Sequence, residues 1–220
     1  MTTRCAHRLL LHLALSTLLV DLDAKSDILT AKERSQLTDF HALHRSRVDP
    51  PAANMMLLSY SPQHEKLASS WLSACQFRYP PRENDSAFAG TNQNLAMSRS
   101  RGPSVLELAA AWAHEEKHYR ASADKNCHYC GQYKKMIWAT SRKFGCAKRD
   151  CGNSTLLMCV YAPGGNWEED KPYLEGTSCS KCEKNTTCRK KQCDPNQLQP
   201  PQLGPIFWGL MAALFYTYIE

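Results

Sequence analysis

Ten cysteines follow residue 24 of this 220-residue chain, and nine of them fall between Cys127 and Cys193. An even, closely spaced set in a chain bound for the secretory route implies a disulfide framework. The route is read from Met1 to Ala24. Arg4 and Arg8 make a basic start, Leu9 to Val20 an apolar run, and Ala24 a small cleavage residue. The run is too short to span a bilayer, so residues 1–24 read as a signal peptide that takes the eleventh cysteine, Cys5, with it. Three N-x-[ST] sequons, at Asn84, Asn153 and Asn185, suit a glycosylated extracellular chain. The net charge of +6 is scattered, with one short run at Arg189-Lys190-Lys191. A solvated face accounts for it. Heparin or anionic lipid is the functional alternative, and nucleic acid is not an expected partner outside the cell.

Between the ends, Thr30-Ala31-Lys32-Glu33 is a capping box, and Leu37, Phe40, His44 and Val48 recur near helical spacing. A helix is expected from about Ala31 to Arg47, stopped by Asp49-Pro50-Pro51. Met55 to Tyr60 reads as extended. Ser61-Pro62 caps a second helix with the stripe Leu67, Trp71, Leu72 and Cys75. Pro80 to Gly102 reads as a long polar loop. Ser104-Val105-Leu106-Glu107 opens a third helix, with Val105, Leu108, Trp112, Glu115 and Tyr119 on one face. Cys130 to Ala139 reads as a short helical segment anchored by Tyr133, Ile137 and Trp138. Lys143 to Lys148 and Leu156 to Ala162 read as strands.

Several of these stretches, in order, resemble the CAP superfamily of cysteine-rich secretory proteins, insect antigen 5 and plant pathogenesis-related 1 proteins. They look most like its glioma pathogenesis-related and peptidase inhibitor 16 group. His41-x-x-x-Arg45-x-x-Val48 followed by Pro51-Ala52-Ala53-Asn54-Met55 is similar to the family's opening motif. Leu156 to Trp167, ending Ala162-Pro163-Gly164-Gly165-Asn166-Trp167, is similar to its second signature. Gly131-Gln132-Tyr133-Lys134-Lys135-Met136-Ile137-Trp138 is a degraded copy of the first, G-H-Y-T-Q-x-x-W. The resemblance implies an α+β fold, an α-β-α sandwich with a central antiparallel sheet and a small disulfide-rich hinge. The organisation is then a CAP domain over 25–167, a hinge over 168–193, a spacer over 194–205 and an apolar tail over 206–220.

The family often carries a cleft of two His and two Glu that binds a divalent metal in some members. Here Tyr79 stands for the first His, Gln93 for the first Glu and Gln132 for the second His, and Glu115 alone survives. Zinc takes imidazole, thiolate or carboxylate, usually three or four together, so no metal or cofactor is expected in this cleft. General acid–base work needs paired titratable groups, so no catalytic residue is assigned either. Glu115 hydrogen-bonded to the two Gln amides would be a satisfied polar cluster.

His114-Glu115-Glu116-Lys117-His118 spells the H-E-x-x-H signature of zinc proteases, and Asp124 stands six residues on as a third ligand. The turn glycine of that pattern is Ala121, and no Met-turn follows. A zinc endopeptidase using His114, His118, Asp124 and Glu115 is therefore the enzyme alternative. On the other reading both His lie on the helix flank toward water.

For the cysteines the resemblance implies Cys75–Cys151 and Cys146–Cys159 in the domain, with Cys127–Cys130 left to pair. In the hinge it implies Cys179–Cys188 and Cys182–Cys193. Spacing alone leaves the connectivity open. The family's ion-channel regulatory domain needs further cysteines, and none follows Cys193, so channel block is not expected. The run Ile206 to Ile219 is short for a membrane span and lacks a basic flank. It has the form of a GPI-attachment signal, with a short membrane helix or a tail packed on the domain as alternatives. The function expected is binding of an extracellular protein or a lipid at the outer cell surface, without a chemical step. A sterol or other lipid cargo and protease inhibition are the alternatives within binding.

Overall fold

The computed structural model describes residues 28–81, 86–121, 127 and 129–195. The signal peptide, the sequon at Asn84, Asp124 and the 206–220 tail lie outside the described residues. The elements in order are α1 (Ala31–Ser46), β1 (Ser59–Tyr60), α2 (Pro62–Leu72), a 3-10 turn (Ser86–Phe88), β2 (Asn92–Ser98), α3 (Val105–Ala113), α4 (Glu116–Ala121), α5 (Gly131–Met136), β3 (Lys143–Asp150), β4 (Thr155–Ala162), β5 (Thr187–Arg189) and β6 (Gln192–Asp194).

β4 organises the sandwich. It pairs antiparallel with β3 on one side and β2 on the other, and β1 extends the sheet from β3 in parallel, giving the order β1-β3-β4-β2. The sheet is therefore mixed, where a central antiparallel sheet was expected. β4 side chains alternate between two cores, as a strand covered on both faces requires. Leu157, Cys159 and Tyr161 join Leu37, Trp112 and Tyr133 beneath α1, α3 and α5. Leu156, Met158 and Val160 join Ala68 and Leu72 of α2. Val160 is an ordinary core residue of that second face.

Thr30 and Glu33 form the reciprocal capping box at the start of α1. The buried line of α1 is Leu37, His41 and Arg45, not the Leu37, Phe40, His44, Val48 stripe. Hydrophobicity misread the face because two ionisable side chains are buried with their partners. The Arg45 guanidinium donates to the carbonyls of Met56, Met136, Trp138, Ala139 and Ser141 at 2.7–3.4 Å. His41 Nδ1 lies 2.7 Å from Leu37 O, so it carries the proton, and Nε2 accepts from the Tyr161 hydroxyl at 2.8 Å. Along α2 the buried residues are Glu65, Ala68 and Leu72. Leu67 and Trp71 are only partly buried, and Cys75 lies past the helix end in a left-handed turn, φ 50.

Two further expectations are corrected. The Pro80–Gly102 loop contains β2, a full edge strand whose polar letters conceal it. Its buried Asn94 donates to Gln132 O at 2.9 Å, and Asn92 donates to Gly165 O at 3.1 Å. The third helix is two helices, α3 and α4, separated at His114–Glu115.

The five disulfides are Cys75–Cys151, Cys127–Cys130, Cys146–Cys159, Cys179–Cys188 and Cys182–Cys193. Cys146 and Cys159 face each other across β3 and β4. The Cys-rich segment lies along the extended chain before β1. Ala53 N–H donates to Leu174 O at 2.7 Å, Cys193 N–H to Met55 O at 2.7 Å and Leu57 N–H to Cys193 O at 2.9 Å. Cys193 is fully buried. The sequon residues Asn153 and Asn185 are both exposed.

Candidate functional site

Tyr79, Gln93, Glu115 and Gln132 come from four separate parts of the chain and line one cleft of about 810 Å³. Tyr79 sits in the segment after α2, which Cys75–Cys151 ties to the β3–β4 turn. Gln93 projects from β2, Glu115 from the break between α3 and α4, and Gln132 from the first turn of α5.

Glu115 is held by backbone, not by the two Gln amides. Its Oε2 accepts from Gln132 N at 2.8 Å and Tyr133 N at 3.1 Å. These are orphan donors of the first turn of α5, and Cys130 at the N-cap offers them no side-chain bond. Glu115 thus caps α5 from another element, with its charge at the favourable end of the helix. Burial nonetheless raises its pKa above the ordinary carboxylate value, against the two backbone bonds and nearby Lys135. Gln132 bonds the β2 backbone instead, its Nε2 donating to Leu95 O at 3.0 Å and its Oε1 accepting from Leu95 N at 3.4 Å. Gln93 Nε2 donates to Thr91 Oγ1 at 2.7 Å. Burial pushes the Tyr79 phenol up, and its hydrogen bond with Gln132 draws it part of the way back.

Sequence reasoning missed Lys135 as part of this site. Its ammonium donates to Gln93 O at 3.2 Å and lies over the rings of Trp167, at 4.2 Å, and Tyr79, at 4.8 Å. Lys135 follows Gln132 by three residues on α5, one turn along the same face, and that spacing was a usable signal. Trp167 belongs to the second signature, and the structure gives a reason for the glycines around it. A Cβ on Gly131 would come 2.6 Å from Trp167 Cζ3, and one on Gly165 would collide with the Trp138 ring. The signature seats an aromatic wall of the cleft.

A divalent metal does not fit this donor set. One oxygen of the single carboxylate is engaged by two amides, both Gln side chains are bound to protein groups, and an ammonium occupies the cleft. His114 and His118 are both exposed, His114 at the α3–α4 break and His118 on α4, so H-E-E-K-H does not run along one helix. Among the described residues, one His/Cys/Asp/Glu grouping has its ligand atoms close enough for an ion: Cys179, Cys182 and Cys193. Their sulfurs are already joined in disulfides. The cleft has aromatic walls, amide edges and one carboxylate.

Comparison with known proteins agrees with this architecture. The chain is 35% identical over 156 residues to glioma pathogenesis-related protein 1 of Mus musculus, a match covering 70% of this chain and 61% of that protein. It is 34% identical over 178 or more residues to relatives that include peptidase inhibitor 15-A of Danio rerio, where 181 residues cover 72% of this chain and 68% of the relative. The solved structure of NaASP2 with Zn²⁺ superposes with a TM-score of 0.60 at 24% identity, over 75% of this chain and 96% of that one. Residues 32–161 match the family described as CAP, the cysteine-rich secretory protein family. With the sandwich, the opening motif and the second signature in place, the chain belongs to the CAP cysteine-rich secretory protein family.

Proposed function

We propose that the protein works outside the cell by binding, with no chemical step, and that the Tyr79–Glu115–Gln132 cleft is its recognition surface. The observation that carries this reading is the state of Glu115. The one carboxylate at the four cleft positions caps α5, and among the described residues lining the cleft there is no second carboxylate or imidazole to share a proton or a metal. Its partner is an extracellular protein or a lipid, and the relatives' names, which include peptidase inhibitors, make a peptidase one candidate protein. The leader at 1–24 and the apolar run at 206–220 would place it in the secretory route and at the outer face of the plasma membrane. Among the described residues no helix is long and apolar enough to cross a membrane.

The test is metal content and activity of the purified, secreted, glycosylated chain. Substoichiometric zinc and no peptide hydrolysis are expected. One zinc per chain that is lost in His114→Ala would overturn the reading. Attachment is tested separately by treating expressing cells with phosphatidylinositol-specific phospholipase, which should release the protein to the medium. A panel of secreted peptidases assayed with and without the protein decides the inhibitor variant, and cholesterol uptake decides the sterol variant.

A further inference from the structure

The hinge ends in an unusual turn. β5 and β6 pair with Arg189 opposite Gln192, so Lys190 and Lys191 alone connect the strands. Both are left-handed, with φ of 49° and 59°. Positive φ at both central positions is the two-residue hairpin turn that suits Asn-Gly, where the second residue carries no Cβ. A lysine there crowds its own carbonyl, so both positions carry a steric cost that Asn-Gly relieves.

The surrounding structure holds the turn in this form. Disulfides anchor both strands, through Cys188 to Cys179 and through Cys193 to Cys182. Gln192 Nε2 donates to Ala42 O on α1 at 3.1 Å, and Cys193 N–H donates to Met55 O at 2.7 Å. A strained turn on a rigid, cross-linked base is a mark of a site kept for its side chains.

The charges around it point the same way. The two acidic side chains of the hinge hairpin region are already engaged, Glu183 by Arg142 and Asp194 by Arg189. Among the described residues, no carboxylate pairs with Lys181, Lys184, Lys190 or Lys191, and all four are exposed. The exposed large apolar side chains of the described residues are Ile28, Leu43, Phe77, Tyr79, Met97, Tyr129 and Leu174, with none between 176 and 195. A membrane-entering tip combines cations with apolar side chains, and this one does not. Two exposed ammonium groups on a cross-linked turn match a soluble polymer with repeated fixed anions.

We propose that the Lys190-Lys191 turn is a docking tip for a sulfated polysaccharide. The inference rests on the extracellular placement proposed above, and failure of that placement would be seen first, as absence of the protein from both the cell surface and the medium. The experiment uses the full secreted chain on immobilised heparin. Lys190→Asn/Lys191→Gly should elute at lower salt, with about a tenfold loss of affinity at ~0.15 M salt. The same variant should unfold about 2–4 °C higher, because the turn is relaxed. Lys32→Gln/Lys66→Gln removes two exposed charges elsewhere and should elute as the parent does. Equal loss in both double variants, or none in the hinge variant, overturns the proposal. So does hinge-dependent binding to phosphatidylserine vesicles without retention on heparin.

Discussion

Glu115 and Gln132 are joined by a 2.8 Å hydrogen bond in which the Gln132 backbone N–H donates to the Glu115 carboxylate. The family motif reads both positions as metal ligands, and here one caps the other's helix. Glu115→Ala leaves the N–H groups of Gln132 and Tyr133 without an acceptor inside the cleft, at a cost of about 1–3 kcal/mol. Glu115→Gln keeps an acceptor oxygen and should cost less than half as much. Urea unfolding of the oxidised protein measures both. Equal losses would show that charge, not the acceptor, is what α5 needs.

The same carboxylate carries a pH signature. Burial raises its folded pKa above the ordinary value, so the native state holds the proton more tightly than the unfolded chain. Ionisation therefore works against folding above the folded pKa, and protonation relieves it as pH falls toward the ordinary carboxylate value. The stability of the wild type relative to Glu115→Gln should rise over that acid window and then level off. A difference that is flat or falls with acid would mean that the backbone bonds outweigh burial.

Lys135 holds the cleft walls from inside. Its ammonium lies 4.2 Å from the Trp167 ring and 4.8 Å from that of Tyr79. Lys135→Met keeps the stem and removes the cation, with an expected loss of about 0.5–2 kcal/mol. Acrylamide should quench tryptophan emission more strongly in the variant. That increase should vanish when Trp167→Phe is added, and an increase that survives would place the loosened ring elsewhere.

Much of this could be read from the residues, and the failures share a cause. The capping residues Thr30, Ser61 and Ser104 stand where the sequence places them, because a cap is a local contract between a side chain and the next turn. The apolar run of β4 announces a strand covered on both faces. Where the reading failed, polar groups are satisfied by distant partners. β2 hides because Asn92 and Asn94 are buried against Gly165 and Gln132. The buried line of α1 hides because His41 and Arg45 find partners on β4 and in the segments before β1 and β3. The cleft positions could be located by motif. That Glu115 serves backbone amides and that Lys135 stands between two rings depends on contacts across 17 to 56 residues of sequence.

The disulfides should differ in what they hold. Cys75–Cys151 closes a sequence separation of 76 residues, and Cys127–Cys130 one of 3. Restricting the unfolded chain favours the longer loop, so Cys75→Ala/Cys151→Ala should cost about 2–5 kcal/mol. Cys127→Ala/Cys130→Ala should cost clearly less. Thermal unfolding of the two variants in non-reducing buffer makes the comparison, and the reverse order would show that the short bridge constrains the native state.

His41 sets an acid limit on the fold. It is fully buried, and desolvation lowers its pKa from the ordinary 6.5 to about 3. In the native state it is neutral, donating from Nδ1 to Leu37 O and accepting at Nε2 from Tyr161. The unfolded chain takes up the proton below the ordinary value and the native state does not. Stability from this group is therefore fully present above pH 6.5 and is lost as pH falls toward about 3, by roughly 1.4 kcal/mol per unit. Partial solvent entry on protonation would soften the slope without changing its sign. In His41→Gln the starting stability should be lower and the slope between neutral pH and about pH 4 shallower. Urea midpoints at a series of pH values decide it, and a parallel pair of curves would mean that other groups set the acid limit. The lost hydration of a charged ring in full burial is the main reason the native state refuses the proton, and the neighbouring Arg45 guanidinium adds a smaller opposition.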